Sequence, residues 1–220
     1  MNMNNPAQKI LIVTAVAAER DAVLRGLGNT DTFEVIFAGV GPAAAASGTA
    51  RTLAGGSYKL VISAGIGGGF AGVAEIESLV IANRIIAADL GSETRDGFLS
   101  VDELGFGSSV ISSPAEQVRQ LTAALQAAGL PAVTGPILTV STTTGTRESA
   151  EVLLSRVPGA AAEGMEGFGA AQAAADAGLP ALEIRAISNR VGPRDRDAWK
   201  IPQALQKLEA ACSILTEVFT

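Results

Sequence analysis

The sequence of 220 residues has no histidine and a single cysteine, Cys212. Without histidine the chain cannot form a Ser-His-Asp triad, a Cys-His pair or an HExxH zinc site. One cysteine excludes an intrachain disulfide and a zinc site built from several cysteines. A lone thiol without a histidine partner is more typical of buried packing than of a nucleophile. We therefore predict neither a metal ion nor a cofactor.

Basic and aromatic residues are also scarce. Sixteen lysines and arginines stand against twenty-two aspartates and glutamates, which gives a net charge of −6. Nucleic-acid binding needs a basic surface that displaces counterions, so no nucleic-acid partner is expected. Aromatic residues make up 4% of a chain that is 48% hydrophobic, mainly through Ala, Val, Leu and Ile. This composition favours close-packed helices on a sheet over disorder.

Long hydrophobic runs are missing as well. The longest uncharged span, 120–146, is interrupted by Gly129, Pro131, Gly135 and Pro136 and does not fit a membrane helix. The first eight residues are polar and lack a basic region followed by an apolar run, so they do not resemble a secretory signal. We therefore expect a soluble cytoplasmic protein with no membrane partner.

Apolar runs alternate with helical patterns along the chain. The predicted strands are Lys9–Thr14, Phe33–Ala38, Leu60–Ala64, Leu79–Ala87, Ala132–Val140 and Leu182–Ser188. The predicted helices are Ala17–Leu27, a segment from Pro42 to about Ala54, Ala115–Ala128, Arg147–Arg156, Met165–Ala177 and Pro202–Phe219. This alternation predicts an α/β fold, a three-layer α/β/α sandwich around a central mixed, mostly parallel sheet.

No repeat, linker or low-complexity tail interrupts the pattern, so residues 1–220 are expected to form a single domain, with 1–8 flexible. The polar stretch Asp89–Asp102 is predicted to be a surface loop or flap. Ligands of such sheets bind outside the carboxyl ends of the strands. The segments expected to contribute to a site are therefore 14–20, 39–43, 65–72, 141–147, 163–168 and 188–199.

Two glycine-rich segments follow predicted strands. Gly39–Ala44 fits the loose dinucleotide-binding pattern, but no Asp or Glu occurs from Gly56 to Ala74, where the pattern expects one. A tight turn is favoured there. Gly65–Gly69 does not fit, because Phe70 replaces the last glycine, but it could form a backbone floor for a flat ligand. Glycine in such a floor provides either positive φ or close approach, and both alternatives stay open.

Glutamates stand near the ends of predicted strands. Glu19 follows the first strand by one helical turn, where a surface glutamate is the usual case. Glu166 lies in the segment Glu163–Gly167 at a helix start, where an acid also complements the helix dipole. Hydrolysis of a glycosidic bond requires two carboxylates, one to activate water and one to anchor the sugar as positive charge develops. Neither glutamate is specific by itself.

The last predicted strand ends on polar residues. Asn189 offers one acceptor and two donors, although an asparagine in a turn or cap is the common alternative. The segment Arg190–Trp199 then holds three arginines, two aspartates and the only tryptophan. Such a stretch is usually a solvated loop with internal ion pairs, but beside a site it can bind an anionic group.

Taken together, these segments resemble the purine nucleoside phosphorylase and nucleosidase superfamily over nearly the whole chain from Lys9. The motifs that carry the resemblance are 14–20 (TAVAAER), 38–41 (AGVG), 63–68 (SAGIGG), 163–167 (EGMEG) and 185–189 (RAISN). Residues 188–195 (SNRVGPRD) with Trp199 are similar to the futalosine hydrolase branch. The resemblance implies cleavage of the N-glycosidic bond of a purine nucleoside.

The resemblance also implies roles for individual residues. Glu19 aligns with the base that activates the attacking water. Glu166 aligns with the carboxylate that holds the ribose hydroxyls, and Met165 with a methionine that packs against the sugar. The further predicted substrate contacts are Gly65, Ile66, Gly67 and Phe168, with Phe70 as an alternative to Phe168 for stacking on the base.

Asn189 stands where methylthioadenosine nucleosidases carry an aspartic acid that protonates N7 of adenine. An amide can donate to O6 of a 6-oxopurine and accept a proton on N7, and unpaired buried polar groups cost about 1–3 kcal/mol. We therefore predict that Asn189 is a catalytic residue that selects a 6-oxopurine and stabilises it as it leaves. The resemblance to the futalosine hydrolase branch then implies hydrolysis of futalosine to release hypoxanthine, in the futalosine pathway of menaquinone biosynthesis. Futalosine carries a benzoate on its 5′ side, and Arg194 is the predicted partner of that group.

Three alternative functions stay open. A methylthioadenosine/adenosylhomocysteine nucleosidase would release adenine, a purine nucleoside phosphorylase would require phosphate, and a non-catalytic protein would bind a nucleoside without cleaving it. Ile66 replaces a serine that related enzymes carry, which removes a donor from a phosphate site, although Arg20 and Arg84 could supply charge. The resemblance also implies a homo-oligomer, without giving its symmetry.

Overall fold

The computed structural model describes residues 8–219. The expectation of flexibility for residues 1–8 therefore lies outside the described residues, apart from Gln8. Within the described range the strands are β1 (Lys9–Thr14), β2 (Phe33–Phe37), β3 (Tyr58–Gly69), β4 (Leu79–Ala87), β5 (Gly91–Thr94), β6 (Gly97–Ser100), β7 (Val110–Ser112), β8 (Ala132–Thr139), β9 (Ala162–Gly164) and β10 (Ala181–Arg190). The helices are α1 (Ala17–Leu27), α2 (Pro42–Leu53), α3 (Ala115–Ala127), α4 (Arg147–Arg156), α5 (Gly167–Asp176) and α6 (Ile201–Phe219), and a short 3-10 helix spans Arg196–Ala198.

All strands except β5 and β6 join one mixed sheet. The pairs β1–β2, β1–β3, β3–β10, β4–β8 and β8–β9 are parallel. The pairs β4–β10, β3–β9 and β4–β7 are antiparallel. The predicted α/β class and mostly parallel sheet are thus confirmed.

The sheet is partly closed, which the expected sandwich did not include. Strand β3 pairs with β1 through residues 58–63 and, further along the same edge, with β9 through Gly68 and Gly69. Its other edge pairs with β10. The path β3–β10–β4–β8–β9 returns to β3, because this strand is long enough to hold two partners on one edge.

The glycine-rich run Gly65–Gly69, which we placed after the predicted strand Leu60–Ala64, is the second half of β3. No glycine from Gly65 to Gly69 has a positive φ. A Cβ on Gly65 would lie 2.6 Å from Oε1 of Glu19, and one on Gly67 would lie 2.7 Å from the carbonyl oxygen of Glu163. Glycine is therefore needed here for close approach and not for an unusual backbone conformation.

Helices cover both faces of the sheet. Helices α1, α3 and α6 bury apolar side chains such as Val23, Leu121 and Leu208 against one face. Helices α2 and α5 cover the other face, where Ala170 and Ala171 of α5 join the core. Their small side chains let these helices pack closely on the strands. No helix in the described part of the chain combines the length and apolar character that a membrane span requires.

The stretch Asp89–Asp102 contains the exposed antiparallel hairpin of β5 and β6. At its turn the Thr94 hydroxyl donates to the carbonyl of Gly97 at 2.8 Å. The predicted surface segment therefore has strand structure of its own.

Candidate active site

A cavity of about 570 Å³ lies at the carboxyl ends of β1, β3 and β10. All six segments that we expected at a site contribute to its wall. The lining residues include Val16, Glu19, Val40, Ile66, Gly67, Gly68, Thr143, Thr144, Glu163, Met165, Glu166, Asn189, Arg194, Arg196 and Trp199. A larger groove of about 890 Å³ lies at the amino ends of β1 and β3, where its charged residues include the exposed pair Lys9–Glu34. Of these two cavities, only the one at the carboxyl ends of the strands is lined by buried carboxylates.

Glu19 is fixed by backbone donors from two segments. It lies in the first turn of α1 with 4% of its surface exposed. Its Oε2 accepts the N–H groups of Ala15 at 3.0 Å and Val16 at 3.3 Å, and its Oε1 accepts that of Ile66 at 2.9 Å. Burial raises the pKa of this carboxyl above its ordinary 4.5, although Arg185 and the backbone donors oppose the shift. A positioned carboxylate with a raised pKa is suited to general-base catalysis.

Arg185 is the buried cation of the site. Its side chain on β10 is 2% exposed, and it donates to Oε2 of Glu166 at 3.0 Å and to Oε1 of Glu183 at 2.8 Å. It also donates to the Ser63 hydroxyl at 3.2 Å. Burial lowers the pKa of Arg185, but Glu183, Glu166 and Glu19 outweigh this effect and raise the pKa. The guanidinium thus stays charged and fixes the carboxylates around it.

Glu183 lies on the same strand as Arg185 and pairs with it. Its side chain is fully buried, and burial raises the pKa of the carboxyl while Arg185 lowers it. A Cβ on Gly167 would lie 2.0 Å from Oε2 of Glu183, so only glycine fits at the start of α5. Sequence reasoning gave Glu183 and Arg185 no role. The available signal was two charges of opposite sign, two residues apart, in an apolar strand.

Glu166 immediately precedes α5 and is 6% exposed. Besides Arg185, its carboxylate accepts the N–H groups of Gly41 and Met165, each at 3.2 Å. Gly41 has φ of 94°, a conformation that favours glycine. The favoured tight turn at Gly39–Ala44 therefore supplies a donor to Glu166.

Asn189 and Glu163 lie at the other end of the cavity. Oδ1 of Asn189 accepts from the Ser188 hydroxyl at 2.8 Å, and its Nδ2 donates to the carbonyl of Arg190 at 3.0 Å. Glu163 is 6% exposed and accepts both the N–H of Thr144, at 2.9 Å, and the Thr144 hydroxyl. Burial raises the pKa of Glu163, and the bonds from Thr144 lower it. Sequence reasoning quoted Glu163 in a motif but gave it no role.

The loop after β10 closes one side of the cavity. The Arg194 guanidinium lies over the Trp199 ring, 5.1 Å from its centroid, and donates to the Thr143 hydroxyl at 3.3 Å. Arg190 pairs with Glu75 at 3.1 Å. Arg196 is exposed and lines the cavity.

Some predicted residues do not reach the cavity wall. Phe168 is 9% exposed and packs in the core between α5 and the sheet, and Phe70 is 1% exposed in the cluster around α4. The expected stacking of either ring on a base is therefore corrected, because both rings face the core. Gly65 lies beneath Glu19 and is not a lining residue.

The two arginines considered for phosphate also lie elsewhere. Arg20 pairs with Asp21 at 2.7 Å and lies over the Phe37 ring. Arg84 lines a separate cavity of about 440 Å³ next to the β5–β6 hairpin. Within residues 8–219 no three His, Cys, Asp or Glu side chains are grouped as metal ligands would be.

Comparison with known proteins gives a family match over almost the whole chain. The model of the phosphorylase superfamily matches residues 13–219. A futalosine hydrolase of Streptomyces coelicolor is 51% identical over 229 aligned positions, which cover 95% of each chain. A futalosine hydrolase of Acidothermus cellulolyticus is 47% identical, with 94% of this chain and 90% of that protein covered.

Solved structures share the fold at lower identity. The futalosine hydrolase of Helicobacter pylori matches with a TM-score of 0.82 and 19% identity, covering 96% of this chain and 98% of that one. The methylthioadenosine/adenosylhomocysteine nucleosidase of the same organism matches with a TM-score of 0.80 and 18% identity, covering 96% and 97%. At this identity the structural matches establish the fold alone.

Proposed function

The chain belongs to the futalosine hydrolases of the phosphorylase superfamily, and on that basis we propose that it hydrolyses the N-glycosidic bond of futalosine and releases hypoxanthine. The observation that carries the mechanism is a pair of buried carboxylates, Glu19 and Glu166, that enter one cavity from separate strand ends. Glycoside hydrolysis assigns different tasks to two such groups.

Glu19 is the proposed general base. As the C1′–N9 bond stretches, positive charge develops on the ribose, and water attacks C1′ while Glu19 takes its proton. The electron pair of the broken bond leaves with hypoxanthine, which receives a proton from solvent. Three backbone N–H groups hold Glu19 in place, so little reorganisation is needed when the water attacks.

Glu166 and Met165 form the proposed ribose site. Arg185 and two backbone amides orient the Glu166 carboxylate and use three of its about four acceptor sites, so that one remains for a ribose hydroxyl. Its negative charge also stabilises the cationic sugar of the transition state. Met165 lines the same wall and can pack against the sugar ring.

Asn189 is the proposed selector of the base. Its amide can donate to O6 of hypoxanthine, and its oxygen can accept a proton on N7. An adenine would present an amine to the donor, and the mismatch would cost about 1–3 kcal/mol. This chemistry favours futalosine over methylthioadenosine, and the 51% identity to a futalosine hydrolase points the same way.

Arg194 is the proposed partner of the benzoate of futalosine. All three arginines of the loop line the cavity, but Arg190 is engaged with Glu75. The Trp199 ring supports the Arg194 guanidinium. The exposed apolar side chains of Val16 and Val40 in the same wall could accommodate an aromatic ring.

The site favours hydrolysis over phosphorolysis. The N–H of Ile66, which could otherwise donate to phosphate, is bound by Glu19. Arg20 and Arg84 lie outside the cavity wall, so neither contributes to an anion site there.

We further propose that the reaction serves menaquinone biosynthesis, and that the enzyme works in the cytoplasm as a homo-oligomer. Light scattering would test the oligomeric state.

The test of the function is base release from futalosine, inosine and methylthioadenosine, each with and without phosphate. We expect hypoxanthine from futalosine, independent of phosphate, and none from a Glu19→Gln control. Adenine release from methylthioadenosine as the main activity would overturn the proposed substrate. A strict need for phosphate would overturn hydrolysis, and binding of inosine without cleavage of any substrate would support the non-catalytic alternative.

A further inference from the structure

Three residues of neighbouring strands form one row across the floor of the cavity. Gly68 of β3 is in register with Glu163 of β9 on one side and with Asn189 of β10 on the other. Residues in register on neighbouring strands place their side chains on the same face of a sheet. All three line the cavity. The Glu163 carboxylate and the Asn189 amide therefore flank the same glycine.

Glycine at position 68 is needed for the close approach of neighbouring side chains. A Cβ there would lie 2.9 Å from Cγ2 of Val191 and 3.3 Å from Nδ2 of Asn189. Neighbouring strands are about 4.8 Å apart, so the backbones of Glu163 and Asn189 are separated by roughly 10 Å. That span is suitable for a flat bicyclic base above Gly68 with a hydrogen bond at each end.

Glu163 differs from the other buried carboxylates of the site. Glu166 and Glu183 pair with Arg185, and Glu19, which has no ion pair within the described residues, is near enough to the same guanidinium for its pKa to be lowered by it. No ion pair involves Glu163 in the described part of the chain, and Thr144 and Asp89 are the neighbours that affect its pKa. Thr144 supplies both of its hydrogen bonds, and an ionised carboxylate has about four acceptor sites. Burying a carboxylate without a cation is costly. A glutamine could hold Thr144 equally well, so the loop alone does not require the charge.

We propose that Glu163 is a recognition residue for the departing base and accepts a hydrogen bond from N1–H of hypoxanthine, with Asn189 on the other side of Gly68. The inference rests on the proposed function, since it identifies the base bound in the same site. A 6-oxopurine carries a hydrogen on N1, whereas N1 of adenine is an acceptor. Facing Glu163, adenine would place two acceptors against each other, so Glu163 and Asn189 would both select against it.

The test measures binding of hypoxanthine and adenine by calorimetry to the wild type, Glu163→Gln and Thr144→Val. We expect Glu163→Gln to weaken hypoxanthine binding at least tenfold while adenine binding stays the same or improves. The glutamine can still accept the Thr144 N–H and donate to its hydroxyl, so the loop contact is kept. Thr144→Val weakens that contact but keeps the carboxylate, and it should change the binding of both bases by the same factor.

An unchanged ratio of hypoxanthine to adenine affinity in Glu163→Gln would overturn the proposal, as would the same change of ratio in Thr144→Val. If Glu163→Gln does not fold, binding of 1-methylhypoxanthine to the wild type tests the proposal, because this base lacks N1–H. It should bind at least tenfold more weakly than hypoxanthine, and equal binding would refute the role of Glu163. These measurements need no turnover, so a failure to cleave futalosine is a separate result.

Discussion

The two ends of the cavity bury carboxylates in different ways. Around Arg185, one cation holds Glu166 and Glu183 through direct ion pairs of 3.0 and 2.8 Å. At the other end, Glu163 is held by the amide and hydroxyl of Thr144. At the first end, the ion pairs are centred on Arg185 of β10. At the second end, Glu163 of the three-residue strand β9 contacts the loop that contains Thr144.

This difference indicates a division of work. A buried network of fixed charges preorganises the groups that face the cationic sugar, where charge develops during the reaction. At the other end, donors and acceptors distinguish one base from another by whether every polar group of the base finds a partner. Changes at the Arg185 end should therefore affect stability and rate, and changes of Glu163 or Asn189 should affect the choice of base.

Removal of the central cation should have the largest effect. Arg185→Met leaves Glu166 and Glu183 without their buried partner, and breaking such a pair costs about 3–5 kcal/mol. Urea unfolding should show that loss, together with loss of activity. The exposed pair Arg190–Glu75 provides the control, since Arg190→Met should cost less than about 1 kcal/mol. Equal effects of the two substitutions would contradict the structural role of Arg185.

Glu19→Gln should abolish most of the rate while the fold is kept. Loss of a general base lowers kcat by about 10²–10⁴-fold. Because the pKa of Glu19 is raised, the folded state binds its proton more tightly than the unfolded chain, and ionisation costs stability at neutral pH. The Tm at pH 7 should therefore stay the same or rise. Glu148→Gln, in the exposed first turn of α4, is the matched control and should leave kcat unchanged.

Asn189→Asp should change the choice of base more than the stability. An ionised aspartate has no N–H to donate to O6, so kcat/KM for futalosine should fall by about 10- to 100-fold, consistent with about 1–3 kcal/mol for an unmatched polar group. The same variant should lose less activity on the 6-amino analogue of futalosine. Parallel assays of both substrates measure the ratio, and a uniform loss would contradict base selection by Asn189.

Arg194→Met should have a smaller and substrate-dependent effect. Loss of a charged hydrogen bond to the benzoate should raise KM for futalosine about tenfold. Inosine has no benzoate, so its KM should not change. Steady-state kinetics with both substrates checks this expectation, and an equal rise for inosine would indicate that Arg194 acts on the shape of the loop.

The pH dependence should shift modestly. Glu19 must be ionised to accept a proton, and burial raises its pKa above the ordinary 4.5. The acid limb of kcat/KM should therefore have its midpoint above pH 4.5. Glu163 has a raised pKa as well, so the profile of Glu163→Gln separates the two groups. The limb should persist in that variant if Glu19 is its source.

Much of the fold could be predicted from local patterns. β-branched runs such as Lys9–Thr14 became strands with the expected bounds, and helix α1 matches its prediction residue for residue. These signals depend on side-chain periodicity within one segment, which the sequence shows directly. The family was also predicted, and the matches over 95% and 94% of the chain confirm it.

The candidate site was predicted less completely. Glu19, Glu166, Met165 and Asn189 lie in one cavity as expected, and their roles stay predictions. Phe168 was misplaced because the sequence does not show which side of α5 faces the sheet at its first turn. Glu163 was missed because its position depends on a three-residue strand, which is too short to produce a periodic pattern.

The amino-acid sequence alone was enough to predict six of the ten strands in the described range, the six helices, the family, and the edge of the sheet where the cavity lies. The tertiary structure was needed to show that Arg185 pairs with Glu166 as well as with Glu183 of its own strand, and that Gly68 lies between Glu163 and Asn189. The physical reason is that strand register and buried ion pairs join residues far apart in sequence. Their energies depend on distance and on burial, and both exist only once the chain has packed.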